Sequence, residues 1–118
     1  GGGATLRQRQ EGSSSAPNSN GDGFSVSPLG NRYRIVTEGT GGVPTANDRI
    51  KYDYIAWRDG FDGRDKAFDY RGDVGRLSDL DGWLKTALFW MREGEVRRFR
   101  LPDENHAPYR QLHLISIV

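Results

Sequence analysis

Apolar and polar positions are patterned in four stretches that each predict a β-strand. These stretches run from Arg32 to Val36, from Asp48 to Ile55, from Val96 to Leu101 and from Gln111 to Val118. The first three alternate, whereas the last is almost continuously apolar, which is typical of a strand in the middle of a sheet. A fifth, shorter strand from Lys66 to Arg71 is expected within a loop segment rich in Asp, Gly and Arg.

In one further stretch the apolar residues recur with the period of an α-helix and not with that of a strand. Its apolar residues follow the i, i+3, i+4, i+7 spacing of a single buried helix face, at Leu84, Ala87, Leu88 and Met91. Ser78 and Asp81 are spaced as a capping box, and Gly94 can adopt the positive φ that follows a last helical turn. We therefore expect a helix from near Leu80 to near Glu93, packed against the strand that comes next.

Five strands and one helix predict a single small domain of the α+β class. An antiparallel sheet wrapped on one helix is the economical two-layer arrangement, and it places Tyr52 and Tyr54, which share a strand face, in the core. This domain would span residues 24–118. Residues 1–23 contain Leu6 as their one large apolar residue, so we expect a disordered Gly/Ser-rich linker or tail. The chain opens without Met, from which we expect a domain excised from a larger protein or a processed product.

Composition and charge exclude several classes of function. The 17 basic and 16 acidic residues leave a formal net charge of +1, which gives no strong field toward nucleic acid or anionic lipid. Without cysteine the chain has no disulfide and no thiol chemistry, and two histidines, His106 and His113, do not form a metal-ligand spacing. We expect no metal and no cofactor. No run approaches the roughly 18 apolar residues of a membrane span, and no signal core is present, which favours a cytoplasmic protein.

A series of short motifs gives more specific information than composition does. In chain order they are the loop Gly39 to Pro44, Asp48, a strand ending in Tyr54, Phe61-Asp62, Phe68-Asp69-Tyr70 with Gly72, Gly82-Trp83, Ala87 to Glu95, and Arg100-Leu101-Pro102. In this order they resemble the FKBP-type peptidyl-prolyl cis-trans isomerases, the macrolide-binding immunophilins. The resemblance covers about Tyr33 to Val118.

The resemblance implies a fold and an activity. The fold would be an antiparallel sheet of five to six strands curled around one short helix, with a pocket between the helix start and the sheet. Members of the family catalyse rotation about X-Pro bonds without a metal or a covalent intermediate. The uncatalysed barrier is about 18–20 kcal/mol, and an apolar cleft that favours the twisted amide over the planar one lowers it.

The resemblance also implies a set of pocket residues, although it makes no catalytic residue certain. The matching positions are Tyr54, Phe61, Asp62, Phe68, Leu80 and Trp83. The backbone N–H near Leu80 would receive a ligand carbonyl, and Asp62 would be a pocket carboxylate near Tyr54. Trp83 would form the pocket floor, but counting back from Ala87-Leu88 to the helix start assigns Leu84 instead. Tyr109 is the candidate for a tyrosine that the family carries in its flap.

This sequence departs from the family at the flap that covers the pocket, which is reduced here to residues 103–109. We therefore expect a domain that recognises proline-containing segments with weak or absent isomerase activity. The alternative is a non-catalytic adaptor, a monomeric domain within a larger assembly. Its partner surface would comprise Trp57, Trp90, Arg98 and Arg100. The arginines near Arg98 could also bind nucleic acid, but a solvated strand face explains them better.

Overall fold

Six strands, one helix and a 3₁₀ turn make up the described part of the chain. The computed structural model describes residues 23–27, 32–102 and 106–118. The strands are β1 (Ser25–Val26), β2 (Arg32–Thr37), β3 (Arg49–Trp57), β4 (Lys66–Arg76), β5 (Val96–Arg100) and β6 (Tyr109–Ile117), the 3₁₀ turn is Leu77–Asp79 and the helix α1 is Gly82–Phe89. The predicted tail, residues 1–23, lies outside the described residues apart from Gly23.

All six strands join one antiparallel sheet in the order β1-β2-β5-β6-β3-β4. The predicted α+β class, an antiparallel sheet with one short helix, is therefore confirmed. Strand β6 lies between β5 and β3, so the central position expected from its apolar sequence is also confirmed.

Strand β4 is longer than the sequence predicted. It continues past Arg71 to Arg76 and pairs with β3 along almost all of its length. Gly72 adopts a φ of +66°, and its N–H donates to Oδ1 of Asp53 at 2.7 Å. Glycine weakens a strand taken alone, but the ladder with β3 and this side-chain bond hold the segment in place.

The helix is shorter than predicted at both ends. It begins at Gly82 because Asp81 is its N-cap and accepts from the Leu84 N–H at 3.1 Å. The capping box assigned to Ser78 is wrong, since Ser78 belongs to the 3₁₀ turn. The helix ends at Phe89 rather than near Glu93, and Gly94 follows with the expected positive φ, +89°.

Hydrogen bonds to the glycine-rich loop explain the early end of the helix. The N–H groups of Thr40 and Gly41 both donate to the Glu93 carbonyl at 3.2 Å, and the Glu93 N–H donates to Gly42 O at 3.0 Å. A Cβ on Gly39 would lie 2.7 Å from the Glu93 carbonyl oxygen, so the loop approaches closely only because that residue is glycine. The loop therefore has a structural role, as a clamp on the turn between α1 and β5.

The hydrophobic core lies between α1 and the sheet. Its fully buried side chains include Ile50, Leu77, Leu88, Met91, Phe99, Leu112 and Leu114. Tyr52 and Tyr54 join this core, as predicted from the alternation in β3. Each apolar side chain of this size stabilises the fold by about 1.5–3 kcal/mol on burial. No helix in the described ranges is long and apolar enough to cross a membrane.

Strand β5 contains a buried arginine that its sequence pattern concealed. Arg97 shares the core face with Phe99, and its guanidinium pairs with Glu95 and donates to the Trp90 carbonyl at 3.1 Å. The same guanidinium lies 4.6 Å from the centre of the Tyr33 ring. The arginines of β5 are thus divided between the two faces of the sheet and do not form one basic surface.

Candidate functional site

An aromatic cluster lies where the start of α1 meets the sheet, and we call Tyr54, Phe68, Trp83 and Phe99 the inner cluster. Tyr54 stacks on Trp83 with ring centres 5.7 Å apart and meets the edge of Phe68 at 4.7 Å. Trp83 in turn meets Phe99 edge-on at 5.2 Å. Three strands and the helix thus each contribute one ring to a continuous apolar surface.

The first turn of α1 decides which residue faces these rings. Asp81 caps the helix, so Trp83 projects toward Tyr54 and Phe99, whereas Leu84 is 5% exposed within the core. Trp83 is half-buried, and its indole N–H is buried without an acceptor among the described residues. Of the two candidates for the pocket floor, Trp83 is therefore the one that contacts Tyr54.

Sequence reasoning missed Arg110, which lies against the inner cluster. Its guanidinium is 5.1 Å from the centre of the Trp83 ring and donates to the Tyr54 hydroxyl at 2.8 Å. Its Nε donates to the Ala107 carbonyl at 2.8 Å. Alternation along β6 would have found it, because Arg110 is two residues before Leu112 and so points to the same, core side of the sheet.

The electrostatics of the inner cluster keep it neutral apart from Arg110. Burial raises the pKa of Tyr54 to about 12, and the charge and hydrogen bond of Arg110 offset only part of this shift. Tyr54 is therefore un-ionised at physiological pH and cannot act as a base. In the described part of the chain no group of His, Asp and Glu side chains could hold a metal ion.

A second aromatic cluster lies on the face of the sheet opposite α1. We call it the outer cluster, and its residues are Phe24, Trp57, Phe61, Tyr109, Arg34, Arg98 and Arg100. Phe61 contacts three rings at centroid distances of 5.2–6.0 Å. Guanidinium groups lie over these rings, Arg98 at 5.0 Å from Phe61 and Arg100 at 4.5 Å from Tyr109. Each layer of rings is thus covered by an arginine.

The predicted pocket residues are therefore split between the two clusters. Tyr54, Phe68 and Trp83 come together, but Phe61, Asp62 and Tyr109 lie with the outer cluster. Asp62 has a φ of +64°, its side chain is 68% exposed, and both its oxygens accept from Nη2 of Arg98 at 2.7 and 2.8 Å.

The expectation that Asp62 lies near Tyr54 is wrong. The Tyr54 hydroxyl binds Arg110, and the loop that carries Asp62 is folded over the other face of the sheet. Asp59 holds that loop by accepting from the N–H groups of Arg64 and Asp65. Spacing in sequence showed that a Phe-Asp pair was present but not which face the loop would cover.

The remaining predicted pocket group is the N–H of Leu80, which the resemblance assigns to a ligand carbonyl. In the structure this N–H donates to the Leu77 carbonyl at 3.2 Å, within the 3₁₀ turn. The Leu80 side chain packs against the core. A ligand would have to displace this long internal bond to use the group.

The partner surface proposed from the sequence does not exist as one surface. Trp57 is 3% exposed, so it offers nothing to a partner, and Trp90 is half-buried beside α1. Arg98 is held by Gln111 and Asp62, and Arg100 donates to the Leu101 carbonyl at 2.7 Å. The tryptophans were assigned to the surface only because no other role was evident for them.

The connection from β5 to β6 is the segment that the resemblance assigns to a shortened flap. It runs through residues 101–108, of which 103–105 lie outside the described residues. The Leu101 N–H donates to the Pro108 carbonyl at 2.8 Å, and Arg100 pairs with Tyr109 across the hairpin. Ala107 and Pro108 are buried.

Several solved structures share this architecture. FkpA from Escherichia coli superposes with a TM-score of 0.66 at 19% identity, over 83% of this chain and 53% of its own. A peptidyl-prolyl cis-trans isomerase from Pseudomonas syringae pv. tomato gives 0.62 at 20% identity, over 86% and 85%. The three FKBP domains of wheat FKBP73 give 0.59 at 20%, over 75% and 45%.

The chain has the FKBP-type peptidyl-prolyl isomerase fold. The fold predicted from the order of the motifs is thereby confirmed. The chain spans about half the length of FkpA. No protein-family model matches the sequence, and no curated protein matches it at a significant level.

Proposed function

We propose that this FKBP-type domain binds a proline-containing segment at the inner cluster and that it isomerises X-Pro bonds weakly or not at all. The observation that carries the proposal is the stack of Trp83 on Tyr54 at the helix start, with a ring from β4 and one from β5 beside it. The similar fold of a protein named as a peptidyl-prolyl cis-trans isomerase supports the same conclusion.

The inner cluster provides what a proline ligand requires. Aromatic faces accept the apolar proline ring, and a neutral surrounding favours an amide that has lost resonance. The indole N–H of Trp83 is covered by the protein, so a ligand would contact the ring of Trp83 and not its N–H. No proton transfer is needed for bond rotation, which agrees with a Tyr54 that stays neutral.

Two contacts support weak turnover. The Arg110 guanidinium covers the Trp83 ring and occupies the Tyr54 hydroxyl, so a ligand must displace it or lie beside it. The Leu80 N–H already has an acceptor in the 3₁₀ turn. Both contacts reduce the binding energy that is available to stabilise the twisted amide. A larger fraction of the rotation barrier, which is about 18–20 kcal/mol without a catalyst, therefore remains.

NMR exchange spectroscopy on a short Leu-Pro-Phe peptide, with and without the protein, tests the proposal. We expect the peptide to shift the Trp83 indole resonance, with little acceleration of cis-trans exchange. Trp83→Leu should abolish the interaction. Leu84→Val is the matched control one residue along the helix, and it should leave the interaction intact.

Two results would overturn the proposal. One is a folded protein that binds the peptide with equal affinity after Trp83→Leu. The other is a folded wild-type protein in which no inner-cluster resonance responds to the peptide. The second result would favour the non-catalytic interaction module.

A further inference from the structure

A cavity lies at the C-terminal end of α1, away from the first turn that carries Trp83. Its volume is about 280 Å³, and it is lined by Ala46, Leu77, Lys85, Thr86, Phe89 and Trp90. None of these residues belongs to the inner cluster. Pockets for drug-sized ligands measure about 300–1,000 Å³, and a buried apolar cavity of about 150 Å³ holds benzene. The cavity therefore has room for one aromatic ring and a short chain.

Two polar groups of the residues that line this cavity lack partners among the described residues. Lys85 makes no ion pair or side-chain hydrogen bond with any described residue. The indole N–H of Trp90 is buried and has no acceptor in the described part of the chain. The Lys85 ammonium beside a mainly apolar lining is complementary to an anionic oxygen on an apolar body, whereas the Trp90 N–H has almost no accessible surface and lies out of reach of such a ligand.

The loop at the rim argues for a small molecule rather than an extended peptide. The carbonyls of residues 45–48 all accept hydrogen bonds from within the chain, from Asp48 N, Ser78 N, Arg76 Nη1 and Leu77 N respectively. A bound peptide strand would need free backbone carbonyls to accept hydrogen bonds from its own N–H groups. At this rim, therefore, a ligand would be recognised by side chains and not by backbone carbonyls.

We propose that the cavity at the end of α1 binds a small carboxylate with an apolar body of about one ring. The apolar body fills the space between Leu77, Phe89 and Trp90, and the carboxylate pairs with the Lys85 ammonium. This site is separate from the proline site proposed above and does not depend on it.

Titration of the full chain with 4-phenylbutyrate, followed by the indole N–H resonances, tests this site. We expect a saturable shift of the Trp90 indole resonance while the Trp83 resonance stays in place. The neutral analogue 4-phenylbutanamide should bind about fivefold more weakly, since it loses the charge-assisted contact. This comparison uses the wild-type protein and so does not depend on how a variant folds.

Substitutions of two lysines then test which ammonium group binds the carboxylate. Lys85→Gln should weaken binding of 4-phenylbutyrate by about the same factor, whereas Lys51→Gln, a matched change of an exposed lysine on β3, should leave it unchanged. Equal binding of acid and amide would overturn the proposal. So would unchanged affinity after Lys85→Gln, a shift confined to Trp83, or the absence of saturable binding.

Discussion

The inner and outer clusters are built from the same types of residue but are organised differently. In the outer cluster every layer of rings is covered by an arginine, and Arg98 is fixed in turn by Gln111 and Asp62. In the inner cluster rings contact rings, and Arg110 is the one cation described there. Trp57 of the outer cluster is 3% exposed, whereas Trp83 is half-buried and Tyr70, stacked on Phe68, is 50% exposed.

This difference separates a structural cluster from one suited to a ligand. The outer cluster attaches β1 and the loop after β3 to the sheet, and its cation–π contacts each contribute about 0.5–2 kcal/mol, depending on burial. The inner cluster keeps ring surface at the edge of the core, at the half-buried Trp83, whereas a buried indole N–H without an acceptor among the described residues occurs in both clusters, at Trp83 and at Trp57. Aromatic residues in a sequence therefore do not reveal which of these two roles they have.

The largest expected effect is the loss of Phe61 from the outer cluster. Phe61→Ala should lower the free energy of unfolding by about 2–4 kcal/mol, because it removes the ring that joins Phe24, Trp57 and Tyr109. Urea unfolding followed by tryptophan fluorescence measures this loss. Phe61→Leu keeps most of the volume and should cost less. A folded Phe61→Ala protein that has lost peptide binding would assign this cluster to the ligand instead.

Alkaline pH should destabilise the inner cluster through Tyr54. The pKa of this residue is about 12 in the folded protein against its ordinary value of 10.0, so between pH 10 and 12 the unfolded chain releases the proton while the folded chain keeps it. Stability should therefore fall as the pH rises through this range, by about 2–3 kcal/mol. Urea midpoints at pH 9 and pH 12 for the wild type and for Tyr54→Phe measure the effect.

The comparison with Tyr54→Phe isolates one group, since the pKa of Tyr52 is also raised, by burial and then by Asp73 and Asp81. Tyr54→Phe should show a smaller loss over the same pH range. Parallel losses in the two proteins would show that Tyr54 titrates normally and that the inner cluster is more open to water than its burial indicates.

The arginines of the two clusters provide a matched pair of substitutions. Arg98→Ala should cost about 1–2 kcal/mol of stability and leave peptide binding unchanged, because the contacts that it breaks, to Asp62, Gln111 and the rings of the outer cluster, all lie away from the inner cluster. Arg110→Ala should cost about 1 kcal/mol but strengthen peptide binding, because it uncovers Trp83. Urea unfolding and peptide titration report the two quantities. Weaker binding after Arg110→Ala would mean that Arg110 holds the ligand and does not block it.

The smallest expected effect is the removal of the charge of Asp62. Asp62→Asn should change stability by less than about 1 kcal/mol, since the ion pair with Arg98 is exposed on the aspartate side and asparagine tolerates a positive φ. Peptide exchange should not change. Loss of peptide binding in a variant of unchanged stability would restore Asp62 to the pocket that the resemblance assigned to it.

The local pattern of apolar and polar residues was sufficient to predict most of the fold. Alternation in β2, β3 and β5 identified these strands, and the apolar run of β6 predicted its central place. The helix limits were wrong, because Glu93 bonds to the glycine-rich loop more than fifty residues earlier in the chain. Arg110 and Arg97 were missed as residues of the core face because an arginine inside a strand suggests solvent until its partners are known.

The sequence by itself determined the elements, their order and the presence of aromatic residues suited to a proline pocket, since hydrophobic period and capping act over a few residues. Only the tertiary structure decided that Tyr54, Phe68 and Trp83 meet while Phe61, Asp62 and Tyr109 lie on the opposite face. The physical reason is that the loop after β3 can fold over either face of the sheet. Its contacts with Arg98 and Phe24, distant in the chain, fix one of the two.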